Sequence, residues 1–275
     1  MTIVTNNKYT AYNGYFCRVP KNFIISSAND KLLLSIVYLD RNRTYENNVG
    51  LSFNSLISYF GYSVHRGNNK VTKEFKDKIT FLLDNGLVEL HTDKFPYKLS
   101  EYFSLSVIND FNLQNGYVVL TAHEIDTLLS FPYDTAKVFF LYLYIKSFIY
   151  QKNRNSNNQN CEADKKSNYI SGNELKPSAF FSDIRSIAPD TRLSNKFVDK
   201  CVDLFIDKGL LIKKEVGSYY NKSGKRVNAP NIYVENNEYA QDEIELALNR
   251  LKYSCKTDDF LPMMRKIKKK NKGEA

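Results

Sequence analysis

The chain of 275 residues has no tryptophan, only four cysteines and only three histidines. The cysteines, at 17, 161, 201 and 255, lie far apart without a CxxC or His-x(3–5)-His spacing. That pattern excludes a zinc site and a dense disulfide framework and fits a reducing cytosol. His65, His91 and His123 are isolated, so no His-x-His pair exists to hold the cation of a rolling-circle nickase. Neither a metal nor another cofactor is expected. Long apolar runs are missing too. The most apolar segment, Val138 to Tyr150, is interrupted by Lys146 and falls short of the roughly 18 residues a membrane span needs. It reads as a buried helix. The opening MTIVTNNKYTAYNG has no basic start followed by an apolar stretch, so a cytoplasmic protein without a membrane partner is expected.

What is present is enough for a core: 43% of residues are apolar and 25% charged, which excludes a wholly disordered chain. The length favours two domains. The 39 basic against 30 acidic residues give a net charge of +9, which fits a polyanionic partner without naming one. The last twenty residues alone carry +4 of it. Asparagine (30) and lysine (29) are abundant, as AT-rich coding in a low-GC bacterium or its mobile elements would produce.

Along the chain, Tyr15 to Pro20 is extended, because Pro20 disfavours helix before it. Ser26 or Ser27 caps a helix with an apolar face of Leu32, Leu33, Ile36, Val37 and Leu39, ending at the polar Arg41-Asn42-Arg43. Val49 to Leu51 is extended, and Ser52 or Asn54 caps a short helix through Leu56, Ile57 and Phe60 that Gly61 stops. A basic loop follows, His65 to Lys70. Phe75, Ile79, Leu82 and Leu83 form the stripe of a third helix, closed by Asn85-Gly86. Two extended segments, 87–90 and 103–108, then flank a polar loop containing Pro96. The order strand, three helices, strand, loop, strand is that of a winged helix-turn-helix, whose third helix faces DNA and whose hairpin is the wing.

The second half repeats the plan. Tyr117 to Leu120 is extended, Thr121 caps a short helix ending near Pro132, and Asp134 opens the long apolar helix. A polar linker occupies 151–168. A short helix is expected from Ala179 to Ile187, ended by Pro189. Ser194 caps the next, whose stripe is Val198, Val202, Phe205 and Ile206. Aligned on their closing glycines, Phe75, Ile79, Leu82, Leu83, Asp84, Gly86 and Leu87 match Val198, Val202, Phe205, Ile206, Asp207, Gly209 and Leu210, the strongest sign of a tandem repeat. A hairpin from 210–220 to 227–234 and a helix from Glu238 to about Tyr253 complete the order. The expected fold is therefore α+β, mostly helical, with two tandem winged helix-turn-helix domains. Their bounds are 15–116 and 117–236, the latter containing the linker 151–168. An N-terminal segment (1–14), a C-terminal helix (237–255) and a basic tail (256–275) flank them.

Enzymatic readings fare poorly. Tyr142, Tyr144 and Tyr150 lie on the apolar helix without neighbouring metal ligands and read as packing aromatics. Gly217 to Arg226 has six residues between its glycines where a phosphate-binding loop has four, and Arg where magnesium needs Ser or Thr. It reads as a hairpin turn, and the chain as a non-enzyme. DNA-contact candidates follow from the helix faces. Lys73 and Lys76 point outward on the third helix with Asn69, Lys70 and Thr72 at its start and Arg66 upstream. Lysine reaches phosphates or guanine edges, asparagine pairs with adenine, and a helix N-terminus favours phosphate. In the second copy only the start, Arg192, Ser194, Asn195 and Lys196, suits DNA, since Asp199, Asp203 and Asp207 follow. Lys222, Lys225 and Arg226 around Gly224 form a basic hairpin tip. For each of these residues an ordinary solvated surface is the competing reading.

This architecture resembles the replication initiator proteins of low-GC bacterial plasmids, phages and integrative elements. The resemblance rests on the extended Phe16-Cys-Arg-Val-Pro-Lys21, the helix-turn-helix from Leu51 to Leu90 with Asp84-Asn-Gly-Leu87, and the second copy ending Asp207-Lys-Gly-Leu210. It spans about residues 14–253 and implies binding to origin repeats in double-stranded DNA. It also implies dimer or monomer states controlled through one winged helix, and recruitment of a host helicase or primase. Two alternatives stay open: a transcriptional regulator of a mobile element, and a winged-helix protein-interaction module that does not bind DNA.

Overall fold

Side-chain caps start several of the described helices, and glycines close three of them. The computed structural model describes residues 16–26, 31–64, 69–92, 94–96, 98–111, 116–149, 169–170, 174–175 and 178–263. These form a mixed α+β structure, and the chain divides into two compact units, Met1–Ser147 and Phe148–Ala275.

The first unit begins with β1 (Phe16–Pro20), a short α1 (Lys21–Ser26) not anticipated from sequence, and α2 (Lys31–Asn42). Ser26 thus ends one helix instead of capping the next, and Ser27 lies outside the described residues. α2 is buried from Lys31 through Asp40, as an apolar helix enclosed by its neighbours should be. β2 (Asn48–Leu51) leads into α3 (Phe53–Tyr59), where Ser52 and Ser55 satisfy each other's backbone N–H in a capping box. α4 (Lys70–Asp84), capped by Asn69, buries Phe75, Ile79 and Leu82. β3 (Val88–Leu90) and β4 (Phe103–Val107) follow, and the antiparallel sheet runs β2-β4-β3, with Leu105 facing both Val49 and Leu90. Phe60 stacks on Phe75 at 6.3 Å, holding α3 to α4.

Beyond β4, Asn109, Asp110 and Phe111 all take left-handed φ angles, 44°, 50° and 56°, a conformation that costs roughly 1–2 kcal/mol per residue. Burial of Phe111 and the bonds to Asp110 offset this. Asp110 Oδ1 accepts from Arg18 at 2.8 Å and from Arg43 at 2.5 Å. Arg43, its side chain fully buried, also meets buried Asp40 at 3.1 Å, and Asp40 accepts the Arg18 backbone N–H at 2.6 Å.

β5 (Tyr117–Thr121), α5 (Ala122–Leu129) and α6 (Thr135–Phe148) come next. β5 pairs antiparallel with β1, from Phe16 opposite Thr121 to Pro20 opposite Tyr117. Phe139 of α6 sets its ring edge-on to Phe60 at 5.9 Å. The boundary expected at 116/117 is therefore moved: 117–147 packs with the first unit, because β5 completes a ladder and α6 is buried on nearly every side. Thr121 and Glu124 form a second capping box, and Glu124 also accepts from Lys146 and the Tyr142 hydroxyl on α6. Burial pushes the Glu124 carboxyl up, but the Lys146 ammonium and the hydrogen bonds from Lys146, Tyr142 and Thr121 outweigh it and hold Glu124 below the usual glutamate value.

In the second unit β6 (Tyr169–Ile170) and β7 (Glu174–Leu175) pair with each other. β8 (Phe180–Ser182), α7 (Ile184–Thr191), α8 (Asn195–Asp207), β9 (Leu211–Lys214), β10 (Ser218–Tyr220), β11 (Arg226–Asn228), β12 (Asn231–Glu235) and α9 (Ala240–Cys255) follow. The main sheet is β8-β12-β9, antiparallel throughout. α9 covers it through Ile244, Ala247 and Leu251 against Ile232 and Val234.

Two expectations change here. The helix expected over 179–187 begins only at Ile184: residues 180–182 pair with β12, and Asp183 Oδ1 takes the N–H groups of Arg185 and Ser186. It also runs through Pro189 to Thr191, whose hydroxyl donates to the carbonyls of Ile187 and Ala188. The single hairpin expected from 210 to 234 is two ladders, β9–β12 and β10–β11. Gly217 and Pro230 interrupt it, the latter having no N–H to donate. The segments 1–14 and 151–168, and the tail beyond residue 263, lie outside the described residues.

The correspondence between α4 and α8 carries over to burial. Phe75, Ile79 and Leu82 are buried, as are Val198, Val202 and Phe205. Gly86 and Gly209 take φ of 62° and 68°, and Leu87 and Leu210 donate back to Leu82 and Phe205 at 2.9 and 2.8 Å.

Three substitutions test this packing. Because Glu124 titrates lower in the folded than in the unfolded chain, its contribution is complete at neutral pH and is lost as pH falls through the folded value. Glu124→Gln should cost about 3–5 kcal/mol at pH 7. It should also flatten the loss of stability below about pH 4.3, read by urea unfolding followed by circular dichroism across pH. Arg43→Met should cost about 3–5 kcal/mol by stranding Asp40. Asp126→Asn, which removes only the exposed partner of Arg41, should cost under about 1 kcal/mol in the same assay.

Candidate nucleic-acid interface

A helix start offers unpaired backbone N–H groups, and lysines there meet a polyanion without desolvating a partner. At the start of α4, Lys70 and Lys73 are exposed, and Lys70 approaches Glu74 only at 3.9 Å. Two expected contacts are corrected. Thr72 is 2% exposed and faces the core, so it cannot reach DNA. Asn69 Oδ1 accepts the Thr72 N–H at 2.8 Å as the helix cap. A bidentate adenine contact needs that same oxygen, so it would cost the cap. Arg66 lies outside the described residues.

Lys76, two turns along α4, is half-buried with its Nζ 5.5 Å from the centre of the Phe53 ring. It lines an open cleft of about 470 Å³ together with Lys94, Phe95 and Pro96 of the β3–β4 loop. Aromatic packing holds this loop down: Phe95 contacts Phe53 at 5.6 Å and Phe103 at 5.9 Å, and Asn54 donates its backbone N–H to Leu99 O at 2.9 Å. Lys94 and Lys98 are both exposed on it. These two lysines were not singled out from sequence, although their place in a loop between paired strands was the available signal.

In the second unit Arg192, Ser194, Asn195 and Lys196 are all exposed around the start of α8. Arg192 takes a left-handed φ of 55° as it closes α7, and Ser194 caps α8 by accepting the Phe197 N–H at 3.3 Å. Further along α8, Asp199, Lys200, Asp203 and Asp207 are exposed, which keeps that face from being cationic. The β10–β11 turn is locked by Asn221, whose Oδ1 accepts from Ser223 N, Ser223 Oγ and Lys225 N at 2.7–3.1 Å. Lys222 and Lys225 on it are exposed. Arg226 differs from the expectation: its guanidinium is occupied, donating to Ser218 Oγ at 2.9 Å and to Pro262 O at 2.7 Å. It holds the hairpin in place.

Two of the cysteines and two of the helix tyrosines are enclosed. Burial, followed by the charges of Asp40 and Glu124, pushes the Cys17 thiol well up, and burial raises Cys201 to about 12, so both stay protonated and unreactive. Tyr142 is fully buried with its hydroxyl given to Glu124, and Tyr144 is buried, while Tyr150 lies outside the described residues. Among the described residues no cluster of three His, Cys, Asp or Glu side chains is placed to hold a metal. Nor is any helix there long and apolar enough to cross a membrane. Set against known proteins, the chain matches no family model, and no curated protein matches it by sequence.

Proposed function

We propose that the chain is a non-enzymatic, sequence-specific duplex-DNA-binding protein built from two tandem winged helix-turn-helix domains, acting as a replication initiator of a mobile element. The observation that carries this reading is the cleft between α4 and the β3–β4 loop, where Lys76 and Lys94 face a common space beside the exposed Lys70 and Lys73. In a winged helix those are the recognition helix and the wing, and a phosphate backbone passing between them is met from both sides. The recurrence of strand, two helices and two strands in the order β2-α3-α4-β3-β4 and β8-α7-α8-β9-β12, each with its last strand central, supports the tandem assignment. Initiation, as opposed to regulation, rests on the resemblance described from sequence. A second role is favoured for α8, whose exposed aspartates repel phosphate. That face suits a protein partner, either a second copy or a host helicase or primase.

A salt-titrated binding assay on DNA from the gene's own locus tests the reading. Lys73→Ala with Lys76→Ala should lower the slope of log K against log salt by about 2, and Lys94→Ala should lower it by about a further 1. The circular dichroism of the variants should stay unchanged. No preference for locus DNA over random duplex would overturn sequence-specific binding. Direct repeats bound beside an AT-rich stretch, together with support of autonomous replication in a host, would separate initiation from regulation.

A further inference from the structure

Tyr219 and Tyr220 are neighbours on β10, and strand alternation sends them to opposite faces of the β10–β11 hairpin. Only one of the two is covered. Tyr219 meets the ring of Phe260 edge-on at 6.3 Å. Phe260 belongs to residues 257–263, a strap that returns from the end of α9, along which Leu261 and Ser218 exchange both backbone hydrogen bonds at 2.8 Å. Gly217 sits at φ +118°, and a Cβ there would stand 2.3 Å from the Leu261 carbonyl oxygen, so the strap needs glycine at that position. Tyr220 is 61% exposed, and among the described residues no aromatic ring lies against it.

The surroundings of Tyr220 keep it that way. Its cross-strand partner is Arg226, the neighbour able to fold over the ring. That guanidinium is instead turned back along the strand, donating to Ser218 Oγ at 2.9 Å and to Pro262 O at 2.7 Å. On the other side of Tyr220 the chain enters the turn. Asn221 donates its N–H to Lys225 O at 2.9 Å and accepts the Gly224 N–H at 2.8 Å, while its side chain fixes Ser223 and Lys225. Lys222 and Lys225 are exposed on this turn, and neither forms an ion pair with a described residue. Residues 220–225 thus present one uncovered ring and two uncompensated ammonium groups on a backbone held by its own hydrogen bonds.

That combination discriminates among partners. In a duplex each base face is already stacked on its neighbours, so a tyrosine ring meets only edges and backbone. An unpaired base has a face to offer, and the phosphates on either side of it suit lysines. A protein partner would find little to bury, because the other residues on the face of Tyr220 are Ser218, Arg226 and Asn228, with no second apolar side chain. We propose that the β10–β11 hairpin is a binding site for single-stranded DNA, in which Tyr220 stacks on an unpaired base and Lys222 and Lys225 hold the adjoining phosphates. The inference rests on the DNA reading above and extends it from the duplex to the unpaired strand that opening a duplex produces.

The test uses the full chain, with a labelled oligothymidine of about 12 nucleotides and the locus duplex as probes. Tyr220→Ala is expected to weaken oligothymidine binding at least about fivefold and to leave duplex affinity unchanged. Tyr220→Phe, which keeps the ring, should bind as the unaltered chain does. Because the chain has no tryptophan, Tyr220→Trp places a single reporter at the site, whose fluorescence should be quenched by oligothymidine and not by the duplex. Lys222→Ala with Lys225→Ala should lower the slope of log K against log salt on the oligonucleotide by about 1.4. Tyr45→Ala, which removes a tyrosine 78% exposed elsewhere in the chain, should change nothing. Full oligothymidine affinity in Tyr220→Ala, or an unquenched reporter, would overturn the inference alone while duplex binding stands. An equal loss on the duplex would overturn it too, by making Tyr220 a duplex contact. Oligothymidine binding without duplex binding would overturn the duplex reading and leave the hairpin site in place, and binding of neither probe would overturn both.

Discussion

Arg43 held between Asp40 and Asp110 is the constraint on which the first unit turns. Its guanidinium meets Asp40 near the end of α2 and Asp110 in the left-handed turn after β4, and both carboxylates in turn accept from Arg18 of β1. The arrangement is expensive. Burial pushes the Asp40 carboxyl up in spite of Arg43 and the Arg18 N–H, while Asp110, half in solvent, is raised by burial but pulled lower overall by its bonds to Arg43 and Arg18. Arg43 Nε and Arg18 Nε also go without an acceptor. Apolar side chains filling the same space would avoid those costs. What the ion cluster supplies is geometry: only one placement of the turn satisfies both arginines, and it fixes where β4 ends and where the chain sets out toward β5.

That placement explains why two boundaries in this chain do not coincide. By element order, β5, α5 and α6 lead toward a second β-α-α-β-β group as β1, α1 and α2 lead into the first. By packing, the break comes after α6, because β5 completes the ladder begun by β1 and Glu124 ties α5 to α6 inside the first unit. β5, α5 and α6 are thus part of the first unit. Sequence repeats follow the plan of the fold, whereas compact units follow buried area. The two part company wherever a leading strand pairs with its counterpart.

Most of the elements were legible because each carries a local cause. Capping side chains at Ser52, Thr121 and Ser194, stripes such as Phe75-Ile79-Leu82, and glycines closing α4 and α8 all act within a few residues. The misses depended on distant partners. Phe180 to Ser182 became a strand because β12 offered it a ladder, and the hairpin split where Leu261, more than forty residues away in the chain, claimed Ser218. At the candidate interface, helix faces put Lys73 and Lys76 on the outside of α4; Lys73 is exposed, whereas Lys76 is half-buried beside the Phe53 ring. The same spacing puts Thr72, three residues before Phe75 and seven before Ile79, on the buried stripe, so its inward place was legible; helix faces could not show that the Asn69 oxygen is spent on a cap, or that Arg226 belongs to the strap. Nor could they show Phe95 pinning the β3–β4 loop so that Lys94 comes to face Lys76.

The two basic loops reach the same end by different means, and the difference bears on what net charge can do. In the first unit aromatic packing under Phe95 and Pro96 presses the loop onto α3 and α4. In the second, Asn221 and the strap hold a hairpin with little core beneath its tip. A net charge of +9 spread over 275 residues attracts polyanions only weakly and without orientation. Four lysines on fixed supports, Lys76 and Lys94 across one cleft and Lys222 and Lys225 on one turn, set spacing and direction. Under the proposed function, recognition of a helical phosphate backbone would depend on that spacing, and the packing of Phe95 and the hydrogen bonds of Asn221 would matter as much as the charges they position.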